Sequence, residues 1–137
     1  MIVENESVPQ RVDKTASSTI LVVASDPKFL KFLDMSLKLE FEHEILSLTK
    51  GKRAVELSQH VKPDLFIIDY HLHDLSAMEL SRRLHTIENL ESVPTIVLNS
   101  PVASWSEPQP YHTIFLTMHF ALGDLYSAIN ENLDPNR

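Results

Sequence analysis

The chain is 137 residues long, a length that fits one domain, and its 43% hydrophobic content is enough for one core. With 12 basic against 19 acidic residues the net charge is -7, which argues against nucleic acid or an anionic membrane as the main partner. The absence of cysteine excludes disulfides, thiolate catalysis and Cys-based metal centres, and the two glycines, Gly51 and Gly123, exclude phosphate-cradling glycine loops.

In chain order, residues 1–18 mix charge, Ser, Thr and one Pro without periodicity and read as a flexible tail. The start has neither the basic region nor the apolar stretch of a signal peptide, and no apolar run has membrane-spanning length, so a cytoplasmic location is expected. TILVVA from Thr19 is short, β-branched and apolar, as expected for a strand buried on both faces. Asp26-Pro27 is a helix start, followed by Phe29, Leu30, Phe32, Leu33, Leu37 and Phe41 at helical spacing. EILSL from Glu44 predicts a second strand. Gly51 opens a second helix carrying Ala54, Val55, Leu57 and Val61, which ends before Pro63. DLFIID, from Asp64 to Asp69, is the clearest buried strand.

Ser76 and Glu79 form an S-x-x-E capping box for a third helix with Leu80, Leu84 and Ile87. VPTIVLN from Val93 predicts a fourth strand. The alternation then falters: SPVASWSEPQPYH holds Pro101, Pro108 and Pro110, so a full fourth helix is not expected there. TIFLTM from Thr113 predicts a fifth strand, and Leu122, Leu125, Tyr126, Ile129 and Leu133 mark a final amphipathic helix, with residues 135–137 left as the C-terminal end.

Five strands separated by helices imply an α/β fold with a parallel sheet covered on both faces. Right-handed crossovers give a flavodoxin-like, doubly wound, five-stranded sheet of order 2-1-3-4-5, its functional crevice at the carboxyl ends of the strands. Asp26, Asp69, Asn99 and Met118 all fall at or just past such ends, so one candidate site gathers four scattered positions.

TILVVASDPKFLKFL, PDLFIIDYHLHDLSAMEL, VPTIVLNS and IFLTMHF together resemble the successive signature segments of response-regulator receiver domains. The resemblance runs over residues 19–134. It implies phosphoryl transfer to an aspartate ending the third strand, here Asp69. It also implies a magnesium ion held by an acidic pair after the first strand, a hydroxyl after the fourth and a lysine after the fifth. Metal and lysine neutralise the charge spread over a transferring phosphoryl group. The chain departs at each supporting position. The acidic pair aligns with Ala24 and Ser25, with Asp26 one residue late; the hydroxyl position is Asn99, with Ser100 one residue off; the lysine is Met118 and the proline after it is His119. The switch aromatic of the family corresponds to Phe115.

The resemblance to an atypical member, a pseudo-receiver, therefore implies signal transduction through protein–protein interaction, with no enzymatic activity and with phosphorylation impaired or lost. No cofactor is expected, and magnesium binds weakly at best, through Asp26 and Asp69 if at all. Two other readings stand beside it: a phosphorelay receiver still phosphorylated on Asp69 by a histidine kinase, and a small-ligand or redox-sensing module with an apolar pocket near Trp105, Tyr111 and Phe115. His71, His73 and His119 with Asp74 lack the tight ligand spacing of a transition-metal site and read as surface or loop residues. From Leu84 to Asn136 there is no lysine or arginine, so this half offers an acidic or neutral face to a basic or apolar signalling partner, such as a histidine kinase, a regulator or a second copy. Trp105, Tyr111 and Phe120 are the candidate partner contacts.

Overall fold

The computed structural model describes residues 18–105 and 110–133; all but Ser18 of the tail expected over residues 1–18, and the C-terminal end at 135–137, lie outside the described residues. Five strands are present: β1 (Thr19–Val23), β2 (Glu44–Leu48), β3 (Leu65–Asp69), β4 (Thr95–Ser100) and β5 (Thr113–Thr117). Among the described residues three helices connect strands, α1 (Pro27–Glu40), α2 (Gly51–Ser58) and α3 (Ala77–His85), and α4 (Leu122–Leu133) follows β5. All strand pairs are parallel and the order is β2-β1-β3-β4-β5, the doubly wound arrangement expected from the alternation of elements.

The apolar runs form the centre of the sheet because parallel strands are covered on both faces. Every residue of β3 is buried, and alternate residues serve opposite layers. Ile20, Val22, Leu65, Ile67, Ile96 and Leu98 meet α1 and α4 through Leu33, Leu37, Leu125 and Ile129. Leu21, Val23, Phe66, Ile68 and Val97 meet α2 and α3 through Ala54, Leu80 and Leu84.

The helix starts follow local chemistry. The Asp26 side chain accepts from the Lys28 N–H at 3.1 Å and Pro27 fills the first helical turn, so Asp26 caps α1. Ser76 caps α3 by accepting from the Glu79 N–H at 3.0 Å, but the expected box is only half made. The Glu79 carboxylate instead takes Arg82 and Arg83, one turn further along the exposed face. Two helices are shorter than their apolar periodicity predicts: α2 stops at Ser58, before Val61, and α3 at His85, before Ile87. Ile87 is still buried, held by a tight turn rather than by the helix. Apolar spacing records burial, which turns satisfy as well as helices.

No helix follows β4 among the described residues. Residues 101–105 leave the strand in an irregular path, with the Ser100 hydroxyl donating to the Val102 carbonyl at 2.8 Å and accepting its N–H at 3.2 Å. Aromatic side chains close the core in place of that helix. Trp105 stands edge-on to Phe115 at 5.1 Å, and Tyr111 lies flat on His85 with ring centres 3.4 Å apart.

Candidate functional site

Asp69 ends β3 at the carboxyl edge of the sheet and is 5% exposed. Its Oδ1 accepts from the Asn99 side-chain amide and from the His71 N–H, both at 3.3 Å. Asn99 reaches it through a backbone irregularity: the β4–β5 register shifts between Leu98 and Ser100, and Asn99 takes a left-handed φ of 57°. Asparagine tolerates that region and a bulge re-aims a side chain, so the amide points across to β3. The sequence places Asn99 at the end of the fourth strand, but the bulge that aims its amide has no signature in single-letter code.

The remaining expected positions do not converge on Asp69. Ala24 is fully buried and extends β1, its N–H donating to the Leu48 carbonyl at 3.1 Å. The Ser25 hydroxyl donates to the Thr49 carbonyl at 3.2 Å and accepts the His73 N–H at 2.9 Å, tying three loops together. Asp26 is exposed and occupied as the cap of α1, so the one-residue displacement removes its carboxylate from the pocket. Ser100 spends its hydroxyl on Val102. Met118 is 58% exposed, and His119 after it has φ 67°, a conformation closed to proline.

A magnesium ion needs several hard oxygen ligands in near-octahedral array. Here one buried carboxylate faces two nitrogen donors, which compete for its lone pairs and supply none. These residues do not fit the ion, and among the described residues no group of three His, Asp or Glu side chains is arranged to hold a metal. His71, His73 and His119 are exposed. Asp74 serves the helix instead. Its two oxygens accept the Gly51 and Lys52 N–H groups at 3.0 Å, capping α2 from the β3–α3 loop. Partial burial raises its carboxyl pKa, but the N–H groups of Lys52 and Gly51, with the Lys50 charge, outweigh this and hold it below the ordinary value. Gly51 permits the approach, since a Cβ there would meet Leu75 at 3.3 Å.

Tyr111, expected as a partner contact, is 8% exposed and belongs to the core. Its hydroxyl meets Ser81 Oγ at 2.6 Å. His85, under its ring, has Nδ1 2.7 Å from the Ser81 carbonyl and Nε2 2.9 Å from the Val93 carbonyl. Burial pushes the His85 pKa down, against a smaller upward pull from the carbonyls of Val93 and Ser81. Burial likewise raises the Tyr111 phenol, with the Ser81 bond and the Arg82 charge opposing. The sequence signal for this trio was a histidine between Leu84 and Ile87 on an apolar helix face. Phe115 is held against Trp105, and Phe120 is half-buried against the α1–α4 layer. Beside Trp105 a cleft of about 800 Å³ opens, bounded by Tyr70 and Met78 rather than by the expected Tyr111 and Phe115.

No family model matches the chain. A histidine kinase P4 of Formosa agariphila is 27% identical over 99 residues, which is 72% of this chain; the match spans only 7% of that kinase's length. Among solved structures, the receiver domain of Francisella response regulator 1452 superposes with a TM-score of 0.72 at 21% identity, covering 88% of this chain and 100% of that one. The receiver domain of a sensor histidine kinase from Pseudomonas aeruginosa PAO1, which has a magnesium ion coordinated in its active site cleft, gives 0.71 at 18% identity over 85% of this chain and 98% of its own. The HemR receiver domain of Leptospira biflexa, non-phosphorylated, gives 0.72 at 18% identity, covering 88% of this chain and 98% of its own. The architecture of this chain is thus the flavodoxin-like fold of response-regulator receiver domains.

Proposed function

We propose that the chain is a pseudo-receiver: a signalling module of the two-component type that acts by binding a protein partner, without enzymatic activity and with aspartyl phosphorylation impaired or lost. The observation that carries this reading is the company of Asp69. Its Oδ1 is held by the Asn99 amide and the His71 N–H, with Asp26 committed to a helix cap and Met118 at the place of the lysine. Among the described residues no group of three His, Asp or Glu side chains is arranged to hold a metal there, and the two groups hydrogen-bonded to Asp69 are uncharged, a poor setting for a phosphoryl group that needs its charge neutralised. The likeness of the fold to receivers of histidine kinases supports a signalling partner, and the base-free half from Leu84 to Asn136 favours one with a basic or apolar surface. A homodimer through that half is the self-paired version of the same contact.

The test is incubation with magnesium and acetyl phosphate, read by intact mass, alongside beryllofluoride read by backbone amide shifts. The expected result is an unchanged mass and unchanged shifts around Asp69. Stoichiometric mass gain that disappears in Asp69→Asn would overturn the reading in favour of a working phosphorelay receiver.

A further inference from the structure

We propose that the cleft between the β3–α3 loop and residues 101–105 binds an uncharged, ring-bearing apolar small molecule. Its volume of about 800 Å³ lies within the range of small-molecule sites. The cleft opens where the described residues after β4, 101–105, run as an irregular segment rather than as a helix. Its walls are fixed at both ends. Trp105 is braced edge-on by Phe115, and Val102 is tied to Ser100 by two hydrogen bonds. On the other side Ala77 is buried, and Tyr70 and His71 lock each other at 5.2 Å and 77°.

The chemistry of the lining selects the ligand. Among the described residues no lysine, arginine, aspartate or glutamate lines the cleft, so a charged molecule would lose its hydration without gaining a counter-ion. Met78 and Val102 face it while 36% and 39% exposed, apolar surface that a ligand would remove from water. Tyr70 and Trp105, with the imidazoles of His71 and His73 beside them, give π faces and edges that a ring packs against better than a chain does. Occupancy would also act on Asp69, because the cleft begins at the next residue and includes His71, whose N–H holds that carboxylate. The site does not depend on whether Asp69 is phosphorylated.

Trp105 is the only tryptophan of the chain, so its fluorescence reports this cleft alone. The experiment titrates the full chain with the uncharged probe N-phenyl-1-naphthylamine and follows energy transfer from Trp105. The expected result is saturable one-to-one binding, weakened at least about tenfold by Met78→Glu and by Val102→Glu, each of which places a charge in an apolar site. Leu39→Glu, on the exposed face of α1, leaves it unchanged, and circular dichroism establishes that all three variants fold. Absence of saturation up to the probe's solubility, as expected if the cleft instead takes a side chain of a partner protein, overturns the proposal. So does equal affinity in Met78→Glu and Val102→Glu. Equal affinity for the sulfonated analogue 1-anilinonaphthalene-8-sulfonate overturns the assignment of an uncharged ligand.

Discussion

Tyr111→Phe removes one oxygen atom and leaves the ring, which makes it a sharp probe of what Tyr111 does. In the native protein the phenol meets Ser81 Oγ at 2.6 Å, and that hydroxyl is otherwise only 3.3 Å from His85 Nδ1. Losing the short bond leaves a buried hydroxyl half-satisfied, at a cost of about 1–2 kcal/mol. Tyr111→Ala also removes the ring stacked on His85 and opens a hole where a helix would otherwise close the core, costing about 3–5 kcal/mol. For a domain of this size roughly 1 kcal/mol moves the midpoint by about 4 °C, so Tyr111→Phe should lower Tm by about 4–8 °C and Tyr111→Ala by at least about 12 °C. Thermal unfolding at pH 7, followed by far-ultraviolet circular dichroism, measures both. If both variants melt within about 1 °C of the native protein, against the magnitudes above, the core assignment is wrong and Tyr111 becomes a partner contact again.

Acidification tests the ring beneath it. The folded His85 pKa lies below its ordinary value, so the unfolded chain binds the proton first as pH falls; stability is full above about 6.5 and declines as pH drops towards the folded pKa. Urea midpoints at pH 7.5 and 5.5 should therefore differ, and His85→Phe should shrink the difference. Asp74→Ala should cost about 1 kcal/mol by releasing two N–H groups of α2. Because its folded pKa is depressed, this contribution is present above the ordinary carboxylate pKa and lost as pH falls below it, so native and variant urea midpoints converge in acid.

The fold was legible because every central strand is a short apolar run and the breaks between them carry their own chemistry. Asp26-Pro27 and Ser76 announce helix starts, and the prolines after Ser100 accord with the absence of a helix after β4 among the described residues. The placing of Asp69 and Asn99 at neighbouring strand ends was readable in the same way, from where the apolar runs stop. What escaped were features made by contacts distant in sequence. The left-handed bulge at Asn99 depends on the β4–β5 register, and the burial of Tyr111 depends on a histidine 26 residues earlier. Apolar periodicity also over-extended α2 and α3, because Val61 and Ile87 follow the helices rather than belong to them.

The left-handed residues at the two strand ends bear on which side chains those positions could accept. Asn99 has φ 57° and His119 has φ 67°. A threonine at the first would be a β-branched side chain in a region such residues avoid, and a proline at the second has its φ locked near −65°. Replacing Asn99 by threonine or His119 by proline would thus put a side chain on a backbone that disfavours it. Main-chain geometry thus limits which residues these two strand ends accept, and either substitution requires the β4 irregularity or the β5–α4 turn to re-form.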